Sequence, residues 1–88
     1  MGRIEKTLER ILGGRADSNI EFADLLALLT AQRFSLRHGK GSHIVATKPG
    51  IAERLTLQPD GSKAKAYQIR QVRNVLTKYA EPEPDQRT

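Results

Sequence analysis

Three turn signals, about ten residues apart, constrain this chain more than anything else in it. Gly39-Lys40-Gly41-Ser42, Lys48-Pro49-Gly50 and Pro59-Asp60-Gly61-Ser62 place glycine, and twice proline, where the backbone has to reverse. The stretches between them are long enough only for short strands. Residues 34–38 and 43–48 read as two of these. Residues 51–58 read as a third, in which Ile51, Glu53, Leu55 and Leu57 alternate with Ala52, Arg54, Thr56 and Gln58. In the second strand His43, Val45 and Thr47 point one way, and Ile44, Ala46 and Lys48 the other. Consecutive strands joined by tight turns make a three-stranded antiparallel meander.

The flanks have the other period. Ile4, Leu8, Ile11 and Leu12 form one stripe of a helix, with Glu5, Lys6, Glu9 and Arg10 on its wet side. Gly13-Gly14 ends it, because glycine takes a left-handed C-cap at little cost. A polar turn over residues 15–19 leads to a second helix, residues 22–33, with Leu25, Leu26, Leu28 and Leu29 on a wide apolar face. Its start is poorly marked, with Ala23 where a capping Asp or Ser is preferred. A last helix over residues 66–79 aligns Ile69, Val72, Val75, Leu76 and Tyr79. After Ala80 two prolines and no apolar anchor predict a disordered tail, residues 81–88. The expected architecture is one α+β domain over residues 1–80, in the order helix, helix, three strands, helix. The second and last helices would cover one sheet face and leave the other to solvent or a ligand. The first helix, residues 3–14, is an addition that needs its own docking place.

At 88 residues, a chain of this kind buries too little surface for a large cofactor pocket, so no cofactor is expected. It contains no cysteine, which removes disulfides, Cys-ligated zinc and thiol nucleophiles. No run approaches the ~18 apolar residues of a membrane helix. The Met-Gly-Arg start lacks the apolar stretch of a signal peptide, so the cytoplasm is the expected location. The net charge of +5 is concentrated. Residues 25–79 hold 10 basic and only 2 acidic side chains, between two mildly acidic ends. Such a cationic middle fits an anionic partner, such as nucleic acid, an acidic protein or anionic lipid.

Among possible reagents, histidine comes first. His43 follows Gly41 and Ser42 at a strand start, with Lys40 and Arg37 nearby and Lys48 at the strand's other end. A histidine beside cations can act as base or acid when a ribose 2′-hydroxyl attacks its neighbouring phosphate, and lysine or arginine can steady the charge that develops. The bland alternative is a strand histidine with no catalytic duty. His38 and His43 lie five residues apart, with no acid nearer than Glu53, so no metal site is expected. Gly39-Lys40-Gly41-Ser42 could present amides to phosphate, although a hairpin turn explains it equally well. Lys63 and Lys65 lie at the start of the last helix, and Arg70 and Arg73 continue a basic face along it. Residues 62–79 contain five basic side chains and no carboxylate, so pairing within the helix does not explain them. Phe22, Phe34, Tyr67 and Tyr79 are few, and three of them read as core. That favours contact with RNA phosphates and 2′-hydroxyls over base stacking.

Ile20-Glu21-Phe22 before a leucine-rich helix, then Gly41-Ser42-His43, Leu57-Gln58-Pro59-Asp60-Gly61, Lys63-Ala64-Lys65-Ala66-Tyr67-Gln68 and Arg70-Gln71-Val72-Arg73 together resemble the HicA family. These are small toxins of type II toxin–antitoxin modules. The resemblance spans roughly Arg3 to Ala80 and includes the extra first helix of a longer branch. It implies a fold like the double-stranded-RNA-binding domain, α-β-β-β-α with an additional N-terminal helix. It also implies an mRNA interferase, an endoribonuclease that cleaves mRNA without metal and arrests growth. A HicB-like antitoxin would be its protein partner, with DNA contacted only through that antitoxin. The family motif reads Gly-Ser-His-His or Gly-Ser-Asn-His with the catalytic histidine last, and in this chain that last place holds Ile44. Three functions stay open: cleavage through a displaced His43, RNA binding without cleavage, and a subunit whose basic surface meets an acidic partner.

Overall fold

The computed structural model describes residues 2–79, and the tail expected over 81–88 lies outside them. Helix α1 spans Arg3–Gly13 and α2 spans Phe22–Ala31. Strands β1 (Ser35–His38), β2 (Ile44–Thr47) and β3 (Leu55–Leu57) follow, then a short hairpin of β4 (Pro59–Asp60) and β5 (Lys63–Ala64). Helix α3, Ala66–Lys78, completes the described chain. β1, β2 and β3 form one antiparallel sheet in that order. The fold is α+β, with three helices and a three-stranded antiparallel meander among the described residues.

Register decides which side chains face the core. Ile44 stands opposite Leu57 and Ala46 opposite Leu55, and Ala46, Leu55 and Leu57 are buried. Cross-strand partners share a face, so Ile44 belongs to the core side. Thr56, opposite Val45, and Arg37, also opposite Val45, belong to the other side. The core side meets Leu25, Leu28 and Leu29 of α2 and Ile69, Val72 and Val75 of α3, all buried. Helix α1 docks on α2 and α3 rather than on the sheet, burying Thr7 and Ile11. Its Ile4 and Leu12 remain exposed.

Both early helices end in left-handed residues. Gly14, at φ 74°, closes α1 as its sequence predicts, and Arg73 packs so near that a Cβ at this position would lie 3.1 Å from its guanidinium. The second helix stops at Ala31, two residues earlier than expected. Arg33 takes φ 73°, its N–H bonds the Thr30 carbonyl, and the Phe34 N–H bonds the Leu29 carbonyl. That is a Schellman end with Phe34 as its apolar anchor, 5% exposed.

Two sequence expectations need correction. The third strand pairs over three residues only, Leu55–Leu57, because β2 ends at Thr47 and the chain turns over Lys48 to Ile51, where the Ile51 N–H bonds the Lys48 carbonyl. Pro59-Asp60-Gly61-Ser62 is not a mere break, since it turns the β4–β5 hairpin. The hairpin extends to the entry of α2: Ala64 N–H bonds the Ile20 carbonyl, and Phe22 N–H bonds the Ser62 carbonyl. That pairing supplies what the uncapped start of α2 lacks in sequence.

Candidate RNA-binding groove

Because β3 is an edge strand, its free side meets α3 directly, and one side chain stitches the two together. Gln68, 2% exposed, accepts a hydrogen bond from the Gln58 N–H at 3.0 Å and donates to the Thr56 carbonyl at 3.3 Å. Edge-strand groups that would otherwise compete for water are thereby satisfied. Above this stitch lies an open groove of about 310 Å3. Arg54, Thr56 and Gln58 line it from the β3 side and Tyr67, Gln68 and Gln71 from α3, and His43 also lines it. It continues along α3 into a second hollow that shares Arg54 and Gln71 and reaches Asn74 and Lys78.

His43 is held by the turn before β2. Its N–H bonds the Lys40 carbonyl, and its Nδ1 lies 2.8 Å from that same oxygen. A carbonyl only accepts, so the contact assigns the ring proton to Nδ1 and leaves Nε2 with the lone pair in the neutral ring. Gly41, at φ 60°, shapes this turn, and Lys40, Gly41 and Ser42 are all exposed on it. The turn thus fixes both the direction and the tautomer of the one histidine on the groove.

The other basic residues separate into two groups. Lys63 reaches Glu21 at 2.9 Å and Asn19 Oδ1 at 2.7 Å, and this contact lowers the Glu21 carboxyl below its usual value. Arg73 grips Asp17 with both guanidinium nitrogens, the shortest contact being 2.7 Å, and also donates to the Ile11 carbonyl. Lys78 bonds Glu53 at 2.8 Å. Three of the five cations in residues 62–79 therefore face carboxylates from other elements, which inspection of the helix alone misses. Lys48 stands over the Phe34 ring, 5.6 Å from its centroid. Lys65 at the α3 cap, Arg70 and Arg37 have no ion-pair partner among the described residues. The structure thus brings His43 together with Arg54 and Tyr67, and it takes Lys63 and Arg73 into structural pairs.

Arg54, Tyr67 and Gln71 are groove residues that sequence reasoning passed over. Arg54 was legible, since it alternates with Leu55 and so belongs to the wet face. Tyr67 stands two residues before Ile69, on the far side of the helix from the apolar stripe, and is 49% exposed.

Glu53, between the groove and the end of α3, has its carboxyl lowered from 4.5 to about 2 by hydrogen bonds from Lys78 and then Tyr79. The same contact raises the Lys78 ammonium. Among the described residues no three His, Cys, Asp or Glu side chains cluster to hold a metal ion. No helix there is long and apolar enough to cross a membrane. Comparison with protein-family models, curated proteins and solved structures found no match to this chain.

Proposed function

We propose that this protein is a HicA-like toxin with a double-stranded-RNA-binding-domain type of fold, which binds mRNA along the β3–α3 groove and cleaves it without metal through His43. The observation that carries the reading is the hydrogen bond from His43 Nδ1 to the Lys40 carbonyl, on the rim of a groove shared with Arg54. Nε2 takes the proton of a ribose 2′-hydroxyl, the 2′-oxygen attacks the adjacent phosphorus, and the bond from phosphorus to the 5′-oxygen breaks. The departing 5′-oxygen receives a proton from the imidazolium or from water, leaving a 2′,3′-cyclic phosphate and a 5′-hydroxyl. Arg54 stabilises the charge that builds on the phosphate oxygens. Lys40, Arg37, Lys65 and Arg70 serve the flanking phosphates. A HicB-like antitoxin covers the same basic surface in the paired complex.

Purified protein incubated with mixed single-stranded RNA in EDTA tests this. Fragments ending in cyclic phosphate are expected, with the rate falling about 10²-fold or more in His43→Ala. Equal cleavage by the folded variant removes His43 from the mechanism. RNA binding without cleavage by the parent reduces the function to binding alone.

A further inference from the structure

The groove's chemistry is unlike that of a phosphate track. Apart from His43 and Arg54, every side chain on it is neutral. Thr56, Gln58, Tyr67 and Gln71 offer both donors and acceptors, whereas a phosphate oxygen asks for donors alone. The side-chain amides of Gln58 and Gln71 make no hydrogen bond among the described residues, and they open onto the same space as the Tyr67 ring. Glutamine amides are suited to the mixed donor–acceptor edge of a base. Tyr67 is the one exposed aromatic among the described residues, since Phe34 is buried and Phe22 and Tyr79 pack against the core. Its hydroxyl lies 3.4 Å from the Gln68 amide, a buried group anchored to β3, so the ring is tethered beside the groove. The groove's volume of about 310 Å3 is at the lower end of small-ligand pockets.

We infer that the groove is a single-nucleotide subsite in which Tyr67 stacks on an unpaired base and Gln58 and Gln71 meet its edge, so that the ligand is single-stranded RNA and not duplex. This rests on the RNA reading above and narrows it. In a duplex the faces of the bases are hidden by their neighbours, and only a splayed base can reach the ring. The nucleotide's sugar then lies towards His43 and its adjacent phosphate towards Arg54.

Fluorescence anisotropy with a labelled mixed-sequence single strand and the matching duplex tests the assignment, with His43→Ala as the parent so that nothing is cut. The single strand should bind more tightly than the duplex. Adding Tyr67→Ala should weaken single-strand binding roughly 10- to 100-fold, leave duplex binding within about twofold, and be largely rescued by Phe at the same position. Circular dichroism confirms that each variant is folded, which the exposure of Tyr67 makes the expected result. Single-strand binding that ignores Tyr67→Ala, or equal loss in Tyr67→Phe, overturns the subsite while leaving RNA as the partner. Absence of binding to either RNA overturns both readings.

Discussion

Arg73→Ala separates two accounts of the basic helix. In sequence Arg73 continues a cationic face, whereas in the structure it clamps α3 to the α1–α2 loop. Its guanidinium makes three contacts with the Asp17 carboxylate at 3.1, 3.3 and 2.7 Å, and a fourth with the Ile11 carbonyl at 3.4 Å. The two side chains are 20% and 17% exposed. An exposed pair contributes about 0–1 kcal/mol, whereas removing one partner of a buried pair costs about 3–5 kcal/mol. At four-fifths burial the loss lies between these, about 2 kcal/mol, because Asp17 keeps some water while the Ile11 carbonyl loses a donor. For a domain of this size that lowers Tm by roughly 8–16 °C. Thermal and urea melts of Arg73→Ala, Asp17→Ala and the double variant measure it, with a coupling energy expected above about 1 kcal/mol. RNA affinity should stay within about twofold. The reasoning fails if Arg73→Ala melts within a few degrees of the parent and instead loses RNA affinity with a shallower salt dependence, the signature of a phosphate contact.

Gln68→Leu should cost about 2 kcal/mol with little change in packing volume, because it orphans the Gln58 N–H and the Thr56 carbonyl along the β3 edge. Urea melts check this, and a variant as stable as the parent would mean that water reaches that edge. For Glu53, the folded carboxyl lies below its ordinary value, so its contribution is complete above pH 4.5 and is lost as the pH falls towards about 2. The Tm gap between the parent and Glu53→Gln should therefore be widest near neutral pH and close on acidification, whereas a gap independent of pH would dissociate Glu53 from the effect.

What the sequence made legible was periodic, and what it hid was pairing at a distance. The helical periods of α1 and α3 and the three turn clusters follow from local rules, although α1 buries Thr7 and leaves Ile4 and Leu12 of its stripe exposed. The clamp between Asp17 and Arg73 joins residues 56 apart, and the one between Asn19 and Lys63 joins residues 44 apart. No local pattern announces either. The β4–β5 hairpin was hidden because each of its strands is two residues long, too short to show alternation. Glu53 illustrates the converse. Its alternation with Leu55 is a valid strand signal, yet its segment is unpaired in the sheet and its carboxylate accepts hydrogen bonds from Lys78 and Tyr79.

The same register logic bears on the offset between this chain and the HicA motif. A residue at position 44 stands opposite buried Leu57, two places from buried Ala46, and so shares the side of the sheet that α2 and α3 cover. Isoleucine suits that place, whereas an imidazole there would be turned away from Arg54 and Thr56. Position 43, in the turn just before β2, lines the groove with both. Within β2 itself the odd-numbered positions are Val45 and Thr47, and neither carries a group that titrates near neutrality. Of the residues lining the groove, His43, in the turn just before β2, carries the one imidazole, and its half-buried neighbour Ile44 has the register of the opposite side of the sheet.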